Sequence, residues 1–527
     1  MLRKRAYRRA IAATLCLLPL MSGNASAQER EELEALRQTT LRLIDMLVKE
    51  GILSQQRADE LVKQARQPVP VAAADAKPGV PPVRVQYVPE VVREQLRDEI
   101  RIEVLSAATR EGWVAPNTLP GWINRITLDG DFRLRSQSDF FAEDNDPLFQ
   151  PLNVLQSNTA GRPVFPAATP DRHRLRARAR LGATAKLSDE WVTGVRIATG
   201  SLTEPVSQNQ TLGENLNRYT LALDRAFISW LPMPELEVTG GRIANPFITN
   251  DLMFATDLSL DGVAARYRPT AEQWGFAPLG TVGLFPIQEV AASSGGDKWL
   301  FAGQAGVQYR TSTFTGRLTG ALYDWRNVSG QPNTVGSTAN NFTAPGFAQK
   351  GNSIFNMNSA DPTAAVLFGI APKFRVANIG TELDWAFVGP TRVVFNADWV
   401  RNIGYDREEI LRRTGLDIAP QVDAWRVGLT VGYPRIGRVH DWQVFTTYKR
   451  VERDAVLDAF TDSDFRLGGT NAKGFTVGGS YGVANNVWVT VRWLSANGID
   501  APIVASLPNV PPRFGVDTLQ IDLNARF

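Results

Sequence analysis

The chain ends, at residues 518–527, in the sequence TLQIDLNARF, in which apolar and polar residues alternate. One side of an extended strand would carry Leu519, Ile521, Leu523 and Phe527. The other side would carry Thr518, Gln520, Asp522, Asn524 and Arg526. Because successive side chains of a β-strand point to opposite faces, this segment has one apolar and one polar face. It fits either a soluble β-sandwich or a transmembrane barrel with a polar lumen.

The same alternation recurs upstream, for example at 424–433 and 486–495. No later stretch is long and apolar enough for a transmembrane helix. Period two therefore predicts an all-β region over 126–527. We predict sixteen strands, at 126–138, 172–187, 189–201, 216–231, 234–246, 258–268, 278–289, 298–310, 313–327, 373–388, 391–402, 424–433, 440–451, 472–482, 486–496 and 515–527.

The connections between these segments alternate between long and short. The long ones are 139–171, 202–215, 247–257, 290–297, 328–372, 403–423, 452–471 and 497–514. The intervening ones are short, from Ser188 alone to the segment 269–277. An up-and-down barrel has short periplasmic turns and long external loops, whereas a sandwich has no reason to sort its loops in this way. The sequence therefore predicts an all-β transmembrane up-and-down barrel of about 16 antiparallel strands, surrounded by the lipid of an outer membrane.

The N-terminal segment 1–27 has the features of a secretory signal peptide. A cationic start precedes the apolar run 11–21, and Ala25 and Ala27 form an A-x-A cleavage site. The apolar run is about half as long as the roughly 20 residues that a membrane-spanning helix needs. We therefore expect export of the chain, with cleavage after Ala27 and loss of Cys16, its one cysteine.

Four segments separate the signal from the predicted barrel. Residues 28–67 show helical periodicity with a break in the middle, which predicts a helical hairpin in the periplasm. The Pro-rich stretch 68–89 predicts an extended linker. Residues 90–112 predict a second helix, either a solvated helix or a short coiled coil that joins protomers. Residues 113–125 form a connector to the barrel.

Composition argues against several other classes of protein. The formal net charge of +3 gives no support to a nucleic-acid partner. With two histidines and no cysteine after cleavage, we expect no zinc site, and we predict no metal and no cofactor. His173 and His440 fall on opposite sides of the predicted barrel, and the sequence has neither a G-x-S-x-G nor an H-E-x-x-H motif. We therefore predict that the protein is not an enzyme.

Several motifs resemble, in order and spacing, those of the putative porins of Gram-negative bacteria. They are RLRARARLG at 174–182, ATG at 198–200, GGR at 240–242 with NPF at 245–247, DAVLDAFTDSDF at 454–465 and QIDLNARF at 520–527. The N-terminal helices resemble that family as well. The resemblance implies an outer-membrane channel for passive diffusion of small hydrophilic solutes, and a trimer. Phe527 matches the terminal aromatic residue of such barrels, and this likeness implies that the outer-membrane assembly machinery reads it as a signal.

The second predicted strand carries Arg174, Arg176, Arg178 and Arg180 on one face. Arginine facing lipid at the bilayer midplane would cost roughly 2–4 kcal/mol per residue, so we expect these four side chains to line the pore. An arginine ladder on a pore wall attracts anions and binds carboxylates or phosphates. The alternative is a ladder neutralised by acidic wall residues such as Asp224, Asp384 and Asp398.

The connection 452–471 combines acidic and apolar residues. Its acidic residues include Asp454, Asp458, Asp462 and Asp464, and its apolar ones are Val456, Leu457, Phe460 and Phe465. Apolar anchors of this kind predict a loop that folds inward as a constriction, opposite the arginine ladder. A calcium site at Asp458, Asp462 and Asp464 is the alternative, although the EF-hand spacing is absent.

Two other functions remain open at this point. The first is an outer-membrane structural barrel whose N-terminal helices tether it to peptidoglycan. The second is an outer-membrane enzyme, which the sequence favours least.

Overall fold

The computed structural model describes residues 125–145, 170–269, 275–291, 296–500 and 514–527. The predictions for 1–27, 28–67, 68–89 and 90–112, and for nearly all of 113–125, lie outside the described residues. So do the predicted cleavage-site residues Ala25 and Ala27. Among the helices of the described ranges, none is both long and apolar enough to cross a membrane.

Sixteen antiparallel strands form the wall of the described part of the chain. They are β1 Ile126–Phe141, β2 Arg172–Lys186, β3 Trp191–Thr199, β4 Leu221–Met233, β5 Leu236–Ala244, β6 Ser259–Tyr267, β7 Phe276–Gln288, β8 Lys298–Arg310, β9 Phe314–Arg326, β10 Phe374–Ala386, β11 Arg392–Asn402, β12 Asp423–Gly432, β13 Trp442–Val451, β14 Ala472–Ala484, β15 Val487–Gly498 and β16 Gly515–Arg526.

The wall closes on itself. Each strand pairs with the next along the chain, and β1 pairs with β16 from Asp131 opposite Arg526 to Phe141 opposite Val516. This confirms the predicted up-and-down barrel. One clear difference in the strand limits is β4, which begins at Leu221 and not at residue 216. Asn215 and Leu216 have positive φ angles of 53° and 61°, so the backbone cannot be extended there.

The two faces of each strand differ as the alternation predicts. In β16, Ile521 and Leu523 are 44% and 45% exposed, whereas Gln520 and Asp522 are buried. Leucines with this exposure form an outer surface that lipid can cover, and the polar side chains face inward. The closed ring leaves no unpaired sheet edge within the bilayer, so the backbone hydrogen bonds are satisfied within the wall.

The strand ends that the long connections join lie at one end of the barrel, and the strand ends joined by short turns lie at the other end, with the start of β1 and the end of β16. Four long connections matter for the interior. We number them in chain order among the eight: loop 2 (200–220), loop 3 (245–258), loop 5 (327–373) and loop 7 (452–471). Loop 6 (403–422) contains the helix α1, Arg407–Thr414, which the sequence pattern does not predict. The side chain of Asp406 caps the N-terminus of α1. Gly415 ends the helix in the left-handed conformation, with a φ of 74°.

The loops contain further short elements. Loop 2 has the two-residue strand Gln210–Thr211, which pairs with β2. Loop 5 has the 3₁₀ helix Asn341–Thr343 and a small hairpin of Ile354–Asn356 and Phe368–Ile370. Loop 7 has the 3₁₀ helices Asp458–Phe460 and Phe465–Leu467.

An apolar cluster joins loops 3 and 7 to the inner face of the wall. Loop 3 contributes Leu252 and Phe254, and loop 7 contributes Val456. These pack with the buried Tyr323 and Trp325 of β9. The cluster holds both loops within the barrel, because its apolar side chains are removed from water only in this position.

Candidate functional site

Loops 2, 3 and 7 leave a cavity of about 350 Å³ between themselves and the wall. The wall contributes three cations to its lining: Arg133 of β1, Arg426 of β12 and Arg492 of β15. The loops contribute four carboxylates: Asp251, Asp257, Asp462 and Asp464. A second cavity of about 150 Å³ lies between loop 3 and the wall and shares Asn250 and Arg426 with the first. The interior therefore contains two polar cavities, and the larger one has cations on its wall and carboxylates on its loops.

The four arginines of the ladder lie on the face of β2 opposite Leu175 and Leu181, which are 54% and 45% exposed. Arg174 pairs with Asp139 of β1 at 2.5 Å. Arg176 donates to the side-chain oxygen of Gln137 at 3.3 Å. All four guanidiniums thus lie on the inner side of the wall, and their role in permeation stays a prediction.

Arg178 and Arg180 share two carboxylates. Asp131 lies 3.0 Å from Arg178 and 2.6 Å from Arg180, and Asp257 of loop 3 lies 2.9 Å and 3.5 Å from them. The neutralising residues differ from those that the sequence suggested. The carboxyl groups that the sequence suggested have other partners. Asp224 pairs with Arg196, Asp384 pairs with Arg392, and Asp398 accepts a hydrogen bond from Asn250. Cross-strand register and the fold of loop 3 select the partners, and neither is visible in one sequence.

Two of the predicted acidic residues of loop 7 line the larger cavity. Asp464 lies 2.9 Å from the buried Arg135 of β1 and 3.8 Å from Arg492. Asp462 lies 3.5 Å from Lys449 of β13. Burial by itself would raise the pKa of Asp464, but the charges of Arg135 and Arg492 outweigh it and lower that pKa. Asp464 is therefore a fixed negative charge at the cavity.

The other two predicted residues, Asp454 and Asp458, are buried under loop 5 and do not line the cavity. Asp454 accepts hydrogen bonds from the backbone N–H and the hydroxyl of Ser353 at 2.8 and 2.6 Å. Asp458 accepts from the backbone N–H of Asn352 at 3.3 Å. These carboxyl groups hold loop 7 against loop 5, so the four aspartates divide into two pairs with different surroundings.

Loop 3 contributes acidic residues that the sequence analysis did not select. Asp251 lies 2.6 Å from Arg426 and 2.9 Å from Lys449. Burial alone would raise the pKa of Asp251, but these two cations lower it. A signal for this loop existed: Ile248, Leu252 and Phe254 are unusual in an exposed connection and resemble the apolar pattern that was noticed in loop 7.

The remaining predicted residues lie apart from the cavities. Phe527 is 71% exposed and lies at the seam between β16 and β1. His173 is at the long-loop end of β2, and His440 is in a short turn at the opposite end. Within the described ranges, no three His, Cys, Asp or Glu residues are grouped as a metal ion requires, the aspartates of loop 7 included.

A search of curated proteins found no match. Among solved structures, the chain resembles OprB of Pseudomonas putida at high pH, with 12% identity, a TM-score of 0.45, and coverage of 77% of this chain and 95% of that one. It also resembles a loop L8 deletion mutant of OmpT of Vibrio cholerae, with 12% identity, a TM-score of 0.38, and coverage of 76% and 100%. OmpF of Salmonella typhi in complex with daunomycin gives 10% identity, a TM-score of 0.37, and coverage of 76% and 97%.

A family model described as "Putative porin" matches residues 37–527. This range includes the whole barrel and part of the segment that precedes it. The chain therefore belongs to the putative porin family.

Proposed function

We propose that the protein lets small hydrophilic solutes diffuse passively through its barrel and that it favours anions. Family membership and the closed barrel of 16 strands identify an outer-membrane channel and favour a channel over an enzyme. A barrel of this size leaves room for an aqueous passage. The proposal rests chiefly on the narrow cavity of about 350 Å³, which lies between a wall rich in arginine and two acidic loops.

The charge arrangement supports a selective passage. Cations of β1, β2, β12 and β15 lie on the wall side of the interior, and Asp251, Asp257, Asp462 and Asp464 lie on the loop side. Opposite charges on two sides of a narrow, partly dehydrated space produce a transverse field, which orients polar solutes and disfavours apolar ones. The anion preference comes from the cations of β1 and β2, because Arg133 and Arg176 of these strands have no carboxylate oxygen within 4.0 Å among the described residues.

Single-channel conductance in a planar bilayer tests the proposal. In a salt gradient, the reversal potential of the refolded protein should have the sign of a channel that is more permeable to anions than to cations. The double variant Arg176→Gln/Arg178→Gln should move that potential toward cations, since it removes two inner charges and leaves Asp131 and Asp257 with less compensation. Arg407→Gln is the matched control, because Arg407 is an exposed arginine in loop 6.

Two results would contradict the proposal. A folded protein with no conductance in the bilayer would exclude a diffusion channel. A conducting channel whose reversal potential is the same in the wild type and in Arg176→Gln/Arg178→Gln would exclude the proposed role of these arginines.

We further propose a trimer in outer-membrane lipid, with residues 28–112 in the periplasm, where they contact peptidoglycan. Current increments in groups of three would support the trimer. Deletion of 28–112 should release the protein from peptidoglycan pull-downs; retention would count against the tether.

We also propose that Phe527 is read by the outer-membrane assembly machinery, so that Phe527→Ala lowers the amount of assembled protein in cells.

A further inference from the structure

Like charges lie directly opposite each other on the inner face of β1 and β2. The register places Arg133 opposite Arg178 and Arg135 opposite Arg176. Like charges in such cross-strand pairs are destabilising. Four guanidiniums in this arrangement therefore require compensating negative charge, either from other parts of the chain or from neighbouring residue pairs of the same two strands.

Six of the carboxylates around this part of the wall already have cationic partners within 4.0 Å. Asp131 and Asp257 pair with Arg178 and Arg180, Asp464 and Asp522 pair with Arg135 and Arg492, and Asp251 and Asp462 pair with Lys449. Two of the four facing arginines, Arg135 and Arg178, are compensated in this way. The other two are not.

Arg133 and Arg176 have no carboxylate oxygen within 4.0 Å among the described residues. Arg133 donates to the side-chain oxygen of Asn209, and Arg176 donates to that of Gln137 at 3.3 Å. The buried Nε atoms of both side chains have no hydrogen-bond acceptor. The carboxyl groups of Glu204 and Asp464 interact with Arg176 electrostatically, but only from more than 4.0 Å away. Positive charge and donor capacity therefore remain available at this place on the wall.

Arg133 and Arg176 extend from neighbouring positions on the wall, close enough for one small ligand to bridge them. Arg133 and Arg176 are diagonal neighbours in the register, and the Cβ atoms of such neighbours lie about 7–8 Å apart or slightly closer. A guanidinium presents paired donors that match a carboxylate. Arg133 also lines the larger cavity, where Val206, Phe445 and Leu494 offer apolar contact to a short hydrocarbon chain.

We propose that Arg133 and Arg176 form a binding subsite for a small organic solute that carries two carboxylates, one for each guanidinium. This inference rests on the proposed channel function and adds a class of solute to it. A dianion at this position supplies the compensation that the protein provides for Arg135 and Arg178 but not for these two residues.

Block of the chloride current by organic anions in a planar bilayer tests the subsite. Succinate should reduce the current at lower concentrations than butyrate, which has the same chain length and one carboxylate. In Arg133→Gln/Arg176→Gln, the half-blocking succinate concentration should rise by about tenfold or more, because a hydrogen bond to a charged group contributes that order of affinity. Butyrate block should change much less.

Two further variants separate recognition from charge and from folding. Arg133→Lys/Arg176→Lys keeps both charges and loses the paired donors, so it should retain chloride preference and lose part of the succinate block. Arg407→Gln should behave as the wild type. We expect the glutamine variants to fold, since they remove uncompensated like charges.

The outcomes distinguish the subsite from the channel itself. If the wild type conducts and succinate blocks no better than butyrate, the subsite is wrong and the channel function stands. Stronger block by inorganic phosphate than by succinate would also overturn the dicarboxylate assignment. If the folded wild type does not conduct, the channel function is wrong and the subsite loses its basis.

Discussion

Asp458 is a buried acid at the contact between loops 7 and 5. Burial raises the pKa of its carboxyl group to about 6, and the nearby Asp454 acts in the same direction. Lys350 of loop 5 and the backbone N–H of Asn352 act in the opposite direction. Near pH 7, the contact between the loops therefore contains a carboxylate that its surroundings would favour in the protonated form.

This predicts that loops 5 and 7 become less stably packed as pH rises from about 4 to about 7. A folded pKa above the ordinary value of 3.8 contributes stability that is fully present below 3.8 and is lost as pH rises through about 6. The shift of roughly two units corresponds to about 3 kcal/mol. The protection factors of the two loops, which are hydrogen-exchange rates corrected for the intrinsic pH dependence of amide exchange, should be higher at pH 4 than at pH 7.

Asp458→Asn is the control for this prediction. Lys350 is present in both proteins, so the difference between wild type and variant isolates the carboxyl group. The variant should lose most of the pH dependence of exchange in loops 5 and 7. The same pH dependence in both proteins would show that another group is responsible.

Among the elements, loops 3 and 7 act together inside the barrel. The backbone N–H of Ala255 in loop 3 donates to the carbonyl of Phe460 in loop 7 at 2.8 Å. The ring of Phe460 stacks on Trp325 of β9, with centroids 5.2 Å apart and planes 8° from parallel. The position of the acidic residues in the cavity therefore depends on apolar contacts several residues away from them.

Phe460→Ala should loosen loop 7 and enlarge or destabilise the constriction. Loss of a partly buried phenylalanine is expected to cost about 2–3 kcal/mol, somewhat less than at a fully buried site. We expect higher single-channel conductance or larger current fluctuations, and faster proteolysis within 452–471. Phe475→Ala is the control, because Phe475 is 42% exposed on the outer face of β14. Unchanged current and proteolysis in Phe460→Ala would show that the stacking does not hold the loop.

At the scale of the whole molecule, the closing seam between β16 and β1 completes the barrel. Gly130 and Phe527 exchange two backbone hydrogen bonds, both 3.0 Å long. A Cβ atom on Gly130 would lie 2.4 Å from the ring of Phe527. The ring therefore covers the glycine, and a Cβ atom there would also lie 2.9 Å from the backbone carbonyl oxygen of Arg180, which cannot move away as the ring can.

Gly130→Val should impair closure, because the added side chain displaces the ring of Phe527 and strains the pairing beside it. We expect a smaller fraction of refolded, heat-modifiable protein on electrophoresis without boiling. Gly320→Val is the matched control, since Gly320 is also a strand glycine and has open space where its Cβ would lie. Equal refolding yields for the two variants would contradict a special role of the seam.

The strand pattern and the topology could be predicted from the sequence because they depend on local information. Ile521 and Leu523 lie on the exposed outer face, and the neighbouring Gln520 and Asp522 face inward, so the alternation is a property of adjacent residues in the sequence. Loop lengths are equally local, and they indicated which ends of the strands are joined by short turns. Helix α1 was missed because Ile410 is the one buried residue among its eight, too few for a periodic pattern.

The partners of the charged residues were decided only by the tertiary structure. The sequence placed four arginines on one face of β2, but Asp257 reaches Arg178 from loop 3, and Asp464 reaches Arg135 across more than three hundred residues of sequence. Such contacts depend on strand register, on barrel closure and on how the loops fold into the interior. Alternation along a strand is a property of neighbouring residues, whereas a pair of charges across the barrel exists only once the whole ring has closed.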